Sequence, residues 1–377
     1  MNYRRTVAVM RKELLHIVRD KGSLTLALLL PFVMLLMFGY ALSLDVDQIP
    51  AIVYDHSRSP ESRDLIREFS GSIYFNIVGY ADNDKTLDYE IDRGKALIGI
   101  VIPERFSEDL LAGRETKVQI LLDGSDSNTA SIALGYADAL TRTYAATLRA
   151  KAQSKMGAPP MKPPVDVRIR VIYNEDLQSK NFIVPGLIAV IIMIISALLT
   201  SLTIAREWEQ GTMEQLLSTP VRPIELVFGK LAAYFIVGLF DMIACLVIAV
   251  TIFAVPLKGS VLLLFVTSCI FLFGALSWGI FISASVRNQL MAYQMGTLTS
   301  FLPAFMLSGF IYSIDNMPFV IQLLTRVFPA RYFVTITKGI FLKGVGVQAL
   351  WVEILLLIVY AVFVFIVAAR KMRQKVA

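Results

Sequence analysis

Six apolar runs, each long enough to cross a lipid bilayer, constrain the fold of this chain more than any other feature of its sequence. A helix needs about 20 residues to cross the hydrocarbon core, and only two acidic or basic residues, Asp241 and Glu353, fall within the six runs. The sequence therefore predicts an α-helical integral membrane protein with six spans. The predicted spans are Leu24–Leu44, Phe182–Ile204, Leu231–Val255, Val261–Ala284, Met291–Ser313 and Ala349–Ala369.

The composition supports this class. Hydrophobic residues make up 56% of the chain and charged residues 18%, whereas soluble domains have about 45–50% and about 25%. The excess of apolar residues excludes a disordered chain, since so much apolar surface can be buried. The net charge of +6 is concentrated beside apolar runs, where anionic lipid accounts for it, and no nucleic acid partner is needed.

Basic residues on the flanks predict the orientation. Residues 1–22 and the tail after Ala369 are rich in Lys and Arg, which marks the cytoplasmic side of a membrane. Both termini are therefore expected inside, in agreement with an even number of spans. The first run is longer than the apolar core of a signal peptide, although residues 41–43 weakly resemble a cleavage site.

The segment before the first span has helical periodicity. Five apolar residues share one side, and basic residues occupy the others, which predicts an amphipathic helix on the inner membrane surface. The alternative is a solvated basic tail. The apolar residues are Val7, Met10, Leu14, Ile17 and Val18.

Residues 45–181 separate the first two spans and predict a large extracytoplasmic α/β domain. Strands are expected at Ile49–Tyr54, Tyr74–Gly79, Ala96–Ile102, Val118–Leu122 and Val165–Tyr173. Helices are expected at Glu61–Phe69, Lys85–Asp92, Arg105–Leu111 and Asn128–Lys155. The acidic turn 123–128 lacks the spacing of a calcium loop and is interpreted as the cap of the following helix.

The sequence carries no recognisable nucleotide site. Gly94-Lys95 and Gly229-Lys230 lack the upstream glycine and following Ser or Thr of a phosphate-binding loop. No cofactor, metal site or catalytic residue is predicted, and an intramembrane enzyme would need more polar residues within the spans. Asp241 is a possible intramembrane polar site. Two roles are open for the Asp241 carboxylate. It binds a proton or a cation, or it forms a hydrogen bond between helices within a dimer.

The loop between the second and third spans is the most informative segment, Ala205-Arg206-Glu207-Trp208-Glu209-Gln210-Gly211-Thr212-Met213-Glu214-Gln215-Leu216-Leu217-Ser218-Thr219-Pro220-Val221. Met213, Leu216 and Leu217 form an apolar stripe at helical spacing. A short helix with an apolar stripe could bind in a cleft of a soluble motor protein. The alternative is a helix that lies on lipid, but its acidic residues would be repelled by an anionic leaflet.

This segment resembles the coupling region of bacterial ABC-2-type permeases, most closely the YhhJ/YbhR/YbhS group of multidrug-type exporters. Further motifs extend the resemblance along the whole chain in the same order. They are Lys12-Glu13 with Ile17-Val18-Arg19-Asp20, Phe38-Gly39-Tyr40, Asp123-Gly124-Ser125 with Asn128-Thr129-Ala130, Arg287-Asn288-Gln289, Leu307-Ser308-Gly309-Phe310-Ile311 with Ile314-Asp315-Asn316-Met317-Pro318, and Pro329-Ala330-Arg331-Tyr332-Phe333.

The resemblance implies an ABCG-like permease of the bacterial inner membrane in which two six-span subunits face each other, as a homodimer or with a paralogue. Each subunit would bind a cytosolic ABC ATPase, which holds the ATP, and a periplasmic membrane-fusion protein is a further expected partner. The implied parts are a connecting helix (1–22), span one (23–44), the outer domain (45–181) and a five-span core (182–377) with a re-entrant segment (314–340).

The resemblance also implies a coupling helix at 206–220. Its expected ATPase-contacting residues are Glu207, Glu209, Gly211, Thr212, Met213, Glu214, Leu216, Leu217 and Pro220. The function expected is export of a drug-like, amphipathic or lipid-like substrate. The alternative is a membrane-anchored sensor or assembly factor that binds a ligand or partner through residues 45–181, for which six spans and a motor-binding loop are unnecessary.

Overall fold

The computed structural model describes residues 2–42, 48–155, 173–174 and 178–376. The chain forms two compact units. One combines Met1–Ser43 with Val171–Ala377, and the other comprises Leu44–Arg170.

Two consecutive helices begin the first unit. Helix α1 (Tyr3–Arg19) starts after Asn2, whose side chain accepts a hydrogen bond from the Arg4 N–H and so satisfies one of the free donors of the first turn. Helix α2 (Lys21–Ala41) is apolar and contains Pro31. The face of α1 that is buried carries Thr6, Val9, Glu13 and Ile17, and it packs on helix 223–251.

The second unit is an α/β fold around a four-stranded sheet. Its elements in chain order are β1 (Ile49–Asp55), α3 (Pro60–Ser70), β2 (Phe75–Tyr80), α4 (Asp84–Asp92), β3 (Ile98–Ile102), α5 (Phe106–Leu111), β4 (Gln119–Leu122) and α6 (Ser127–Lys155). The strand order is β2-β1-β3-β4, in which β1 pairs with β2 and β3 in parallel and β4 is antiparallel to β3.

The predicted elements of this unit are found wherever the structure describes them. Four predicted strands correspond to β1–β4 and four predicted helices to α3–α6. The fifth predicted strand, Val165–Tyr173, lies outside the described residues except for Tyr173. The larger core, with Val53, Phe69 and Ile100, fills one side of the sheet, and a smaller one with Ile52 and Leu87 fills the other.

The first unit continues with long apolar helices. They are α7 (Ser179–Glu209), the short α8 (Thr212–Leu217), α9 (Pro223–Thr251), α10 (Val261–Ser285) and α11 (Gln289–Met306). Helix α7 packs against α2, α9, α10 and α11. Because its sequence is apolar on all sides, it lies buried at the centre of the bundle.

A bent pair of helices precedes the last long helix. Helix α12 (Phe319–Thr325) and helix α13 (Pro329–Lys338) lie in segments that meet at an angle of 84°, and α13 continues as a short π-helix, Gly339–Lys343. This break falls within the predicted re-entrant segment 314–340. Helix α14 (Val347–Val376) follows and packs on α9, α10 and α13.

The prediction of six spans is not confirmed. Among the described residues, four helices are long and apolar enough to cross a membrane, or up to five if the bent pair is one span. The four are α7, α9, α10 and the part Val347–Met372 of α14. The apolar part of α2, Ala27–Ala41, is shorter, and α11 has only 18 residues, including Gln289 and Gln294.

Candidate functional site

The segment predicted as one coupling helix is divided in the structure. Helix α7 ends at Glu209, and Gly211 has a φ of 72° before α8 begins at Thr212. This left-handed conformation is accessible to glycine without the steric cost that a side chain adds. The chain therefore turns at Gly211, and α8 is a separate helix of six residues.

The predicted apolar stripe attaches α8 to its own chain. Met213 is fully buried in the core of the first unit, and Leu216 packs against that core. The side chain of Leu217 lies outside the part that the structure describes. Among the side chains of α8 that the structure describes, the exposed ones are polar, namely Glu214 and Gln215.

Four charged side chains on the helices around α8 form a cluster. We call it the charge cluster. It consists of Lys12 and Glu13 of α1, Glu207 of α7 and Lys230 of α9. Lys230 Nζ lies 2.8 Å from Glu13 Oε1 and 3.0 Å from Glu207 Oε1. Lys12 Nζ lies 2.6 Å from Glu207 Oε1 and 3.3 Å from Glu13 Oε1. Two positive and two negative charges thus join three helices.

The charge cluster is shielded from solvent. The side chain of Lys230 is 1% exposed and those of Glu13 and Glu207 are 7% and 8% exposed, whereas that of Lys12 is 40% exposed. Ions at such sites lose much of their hydration, and the loss is offset only while their partners stay in place. The buried position of Glu207 means that its side chain, like that of Met213, is enclosed by this chain.

In the two residues from α1, Lys12 and Glu13, the effect of the ion-pair partners on the pKa outweighs the effect of burial. Burial by itself would raise the pKa of Glu13, but the charge and hydrogen bond of Lys230, with those of Lys12, outweigh it and lower the pKa below the ordinary 4.5. Burial would lower the pKa of Lys12, but the hydrogen bond and charge of Glu207 raise it above 10.5. Both groups are therefore charged throughout the neutral range.

Helices α1 and α9 approach each other closely beside the charge cluster. A Cβ atom at Gly229 would lie 2.8 Å from the Val9 side chain and 2.9 Å from the Thr6 carbonyl oxygen. Only glycine lets α1 approach α9 so closely, and this approach places Glu13 beside Lys230. The predicted apolar face of α1 is different: Val18 is exposed and Met10 and Leu14 are half-buried.

Further contacts hold the two ends of α1. The backbone N–H of Asn2 donates to Glu225 Oε1 at 2.6 Å, and the Arg5 guanidinium donates to the carbonyl oxygen of Pro220. At the other end, Arg206 Nη1 lies 3.8 Å from Asp20 Oδ2. Helix α1 is thus connected to both flanks of α8.

The end of α7 is also connected to α11. Glu209 Oε2 accepts a hydrogen bond from the backbone N–H of Gln289 at 2.8 Å, where a negative charge favours the start of a helix. The guanidinium of Arg287 lies 4.8 Å from the centre of the Trp208 ring, which is a cation–π geometry. The end of α7, which leads into α8, is therefore attached to the residues that begin α11.

A cavity of about 680 Å³ adjoins the charge cluster, a volume within the usual range for small-molecule sites. One end has charged side chains, including Arg206 and Asp20, and the other is apolar, with Ile195, Leu199 and Val237. Helices α1, α2, α7, α8, α9 and α11 all contribute to its wall. Its two ends differ in polarity as the two ends of an amphipathic molecule do.

The possible polar site of the spans, Asp241, does not itself line this cavity. It lies in α9, is 4% exposed, and neither of its carboxylate oxygens has a hydrogen-bond partner within the described ranges. No group of three or more His, Cys, Asp or Glu side chains suited to a metal ion occurs among the residues that the structure describes.

The charge cluster is not evident from the sequence. There, Glu13 stands out only as part of a motif, and Lys230 only as part of an incomplete phosphate-binding loop. The available signals are a lysine at the edge of an apolar run and a glutamate in a short amphipathic helix. Neither signal indicates that residues separated by more than half the chain pair with each other.

Comparison with known proteins agrees with the resemblance. The family described as "ABC-2 family transporter protein" matches residues 21–370. The chain is 37% identical to the probable multidrug ABC transporter permease YbhS of Escherichia coli strain K12 over 363 residues, 96% of this chain and 95% of that protein. It is 31% identical to the probable multidrug ABC transporter permease YbhR of the same strain over 349 residues, 93% of each chain. ABC transporter G family member 20 of Dictyostelium discoideum is 25% identical over 98% of this chain and 51% of that protein.

Proposed function

Because this chain belongs to the ABC-2 family of transporter proteins, we propose that it is the membrane-spanning permease subunit of an ATP-driven exporter. The charge cluster carries this proposal. It joins the helix before α8, the helix after α8 and the amphipathic α1 through buried charges. Packed, paired groups transmit a rigid-body movement, whereas a loose loop would absorb it.

The partner that moves α8 is a cytosolic ABC ATPase, which binds and hydrolyses the ATP. The contact surface is the exposed side of α8 and its flanks, which we call the coupling face; it comprises Glu209, Gly211, Glu214, Gln215 and Pro220. Thr212 and Leu216 lie at its edge. Glu207 and Met213 support α8 from within the chain, where both are buried.

The substrate is a drug-like, amphipathic or lipid-like molecule that leaves the cytoplasm or the inner membrane. Two relatives are named as probable multidrug permeases. The cavity beside α7 supports the same class, because its charged end and apolar end complement a molecule with a polar head and an apolar body.

The proposed topology has six crossings, with α2 and α11 as the two that are shorter or more polar than the others. Both termini then lie in the cytoplasm and the unit Leu44–Arg170 lies outside, where a periplasmic membrane-fusion protein could bind it. A second permease subunit, identical or paralogous, completes the transporter in the bilayer. No nucleic acid takes part.

Purification in mild detergent is expected to recover an ABC ATPase with the chain. Membranes that contain the complex should hydrolyse ATP faster when an amphipathic drug is added, and cells that express it should accumulate less of that drug. A membrane-anchored sensor would bring no ATPase with it. Purification of the permease without any ATPase, together with unchanged drug accumulation, would contradict the proposed function.

Cysteine labelling is expected to place Ser57 and Gln374 on opposite sides of the membrane. Each residue is replaced by cysteine in a variant that lacks Cys245 and Cys269, the two natural cysteines, and intact cells are treated with a membrane-impermeant thiol reagent. The expected result is labelling at position 57 alone, because position 374 lies in the basic last turns of α14, which this topology places in the cytoplasm. Labelling of both positions in intact cells would exclude the proposed topology.

A further inference from the structure

Asp241 occupies an unusual position in the membrane bundle. It is a carboxyl group in α9 with Lys230 of the charge cluster about three turns to one side and Thr251, the end of the helix, about three turns to the other. Such a position is near the middle of a bilayer that a helix of this length crosses. Ionisable residues at this depth are costly and are usually functional.

The surroundings of Asp241 are apolar. Its own helix presents Met242 and Cys245 as buried neighbours, and one turn earlier Gly238 lies against Leu272 of α10, where a Cβ atom would be 2.7 Å from the leucine side chain. Neither oxygen of Asp241 accepts or donates a hydrogen bond within the part of the chain that the structure describes. An ionised carboxylate without a partner is strongly disfavoured in such an environment.

Charged groups on the neighbouring helices do not compensate the carboxylate. Helices α1, α2, α7, α10 and α14 pack against α9, and the acidic and basic residues of α1 and α7 near α9 are engaged in the charge cluster. The other titratable groups within the spans of these helices and of α9 itself are Tyr40 of α2, Tyr234 and Cys245 of α9, Cys269 of α10, and Glu353 and Tyr360 of α14. The described contacts contain no ion pair or hydrogen bond between any of them and Asp241.

A proton suits the Asp241 carboxylate better than a metal cation or a second subunit does. A metal cation would need several oxygen ligands, and among the described residues no acidic cluster surrounds Asp241. A hydrogen bond to a second copy of the chain would need an accessible carboxyl, but Asp241 is enclosed by its own subunit, with 4% of its surface exposed. A proton neutralises the carboxylate without adding volume.

We propose that Asp241 is a proton-binding site of the membrane bundle. In this conformation the carboxylate carries one proton and is an uncharged carboxylic acid. When α9 shifts against α10 and water reaches the group, the proton passes to water and the carboxylate regains its negative charge. The site therefore takes up and releases one proton as the bundle changes conformation.

The test uses the full chain in lipid nanodiscs and does not depend on an ATPase or a transported drug. Infrared spectroscopy at neutral pH is expected to show the carbonyl band of a protonated carboxylic acid, and this band should disappear in Asp241→Asn. Dicyclohexylcarbodiimide, an apolar reagent that adds to protonated carboxyl groups, should modify the peptide that contains Asp241. The Glu353→Gln variant is the matched control and should keep both signals.

Exchange is measured by transferring the nanodiscs to heavy water, where the carbonyl band should move as the acid proton is replaced by deuterium. Labelling after acid denaturation establishes that the Asp241 peptide can be modified and detected. Absence of both the band and the modification from the folded wild-type chain would overturn the proposal. A band that never moves in heavy water would also overturn it, since a permanently buried acid exchanges no proton.

Discussion

Replacing Lys230 by methionine is expected to destabilise the first unit, which contains the long apolar helices, by about 3–5 kcal/mol. Removal of one partner from a buried ion pair usually has an effect of this size. Methionine is long and apolar, but it lacks the charge that lies 2.8 Å from Glu13 and 3.0 Å from Glu207. Both carboxylates would remain buried with only the half-exposed Lys12 between them. The free energy of unfolding in mixed micelles, titrated with a denaturing detergent, measures the effect.

Two control variants separate this effect from the loss of any lysine. Lys258→Met removes an exposed lysine from the same unit and should change the stability by less than about 0.5 kcal/mol. Glu13→Gln should cost much less in the Lys230→Met chain than in the wild type, because it removes a carboxylate that has lost its partner. Equal losses for Lys230→Met and Lys258→Met, or strictly additive losses for Lys230→Met and Glu13→Gln, would show that the charge cluster is not a buried network.

The elements of the fold could largely be predicted from the sequence because they depend on local patterns. Apolar runs indicate α7, α9, α10 and α14, and the alternation of strand-like and helical segments indicates β1–β4 and α3–α6. The number of crossings was harder to predict, since α11 combines apolar residues with Gln289 and Gln294 and lies between the pattern of a span and that of an ordinary helix.

The arrangement of the site could be predicted only in part. The resemblance indicated that the segment around Gly211 matters, but the sequence does not reveal that the backbone turns there. The pairing of Glu13 with Lys230 depends on how two distant helices pack, and that packing depends on the missing side chain at Gly229. Likewise, Met213 belongs to an apolar stripe that could pack against a partner protein or against the chain's own core. In the structure it is buried in the chain's own core.

Reversing the charge of Glu214 is expected to weaken binding of the ATPase by about tenfold or more, equivalent to about 1.4 kcal/mol or more. Glu214 lies on the coupling face, its side chain is exposed, and within the described part of the chain it forms no ion pair or side-chain hydrogen bond. Glu214→Arg should therefore leave the fold intact. If the ATPase presents basic groups or backbone donors to this face, the new guanidinium opposes them, and like charges across an interface are strongly unfavourable.

The matched control for this charge reversal is Glu115→Arg, which changes the net charge equally at an exposed position in the other unit. Both variants should insert and unfold like the wild type, but only Glu214→Arg should lose the ATPase in pull-downs and lose drug efflux from the same membranes. Combined measurement matters, because loss of efflux with normal ATPase binding would indicate a defect in the transport path instead. If Glu214→Arg binds the ATPase as tightly as Glu115→Arg does, the exposed side of α8 is not the coupling face, and its polar residues only contact water or lipid head groups.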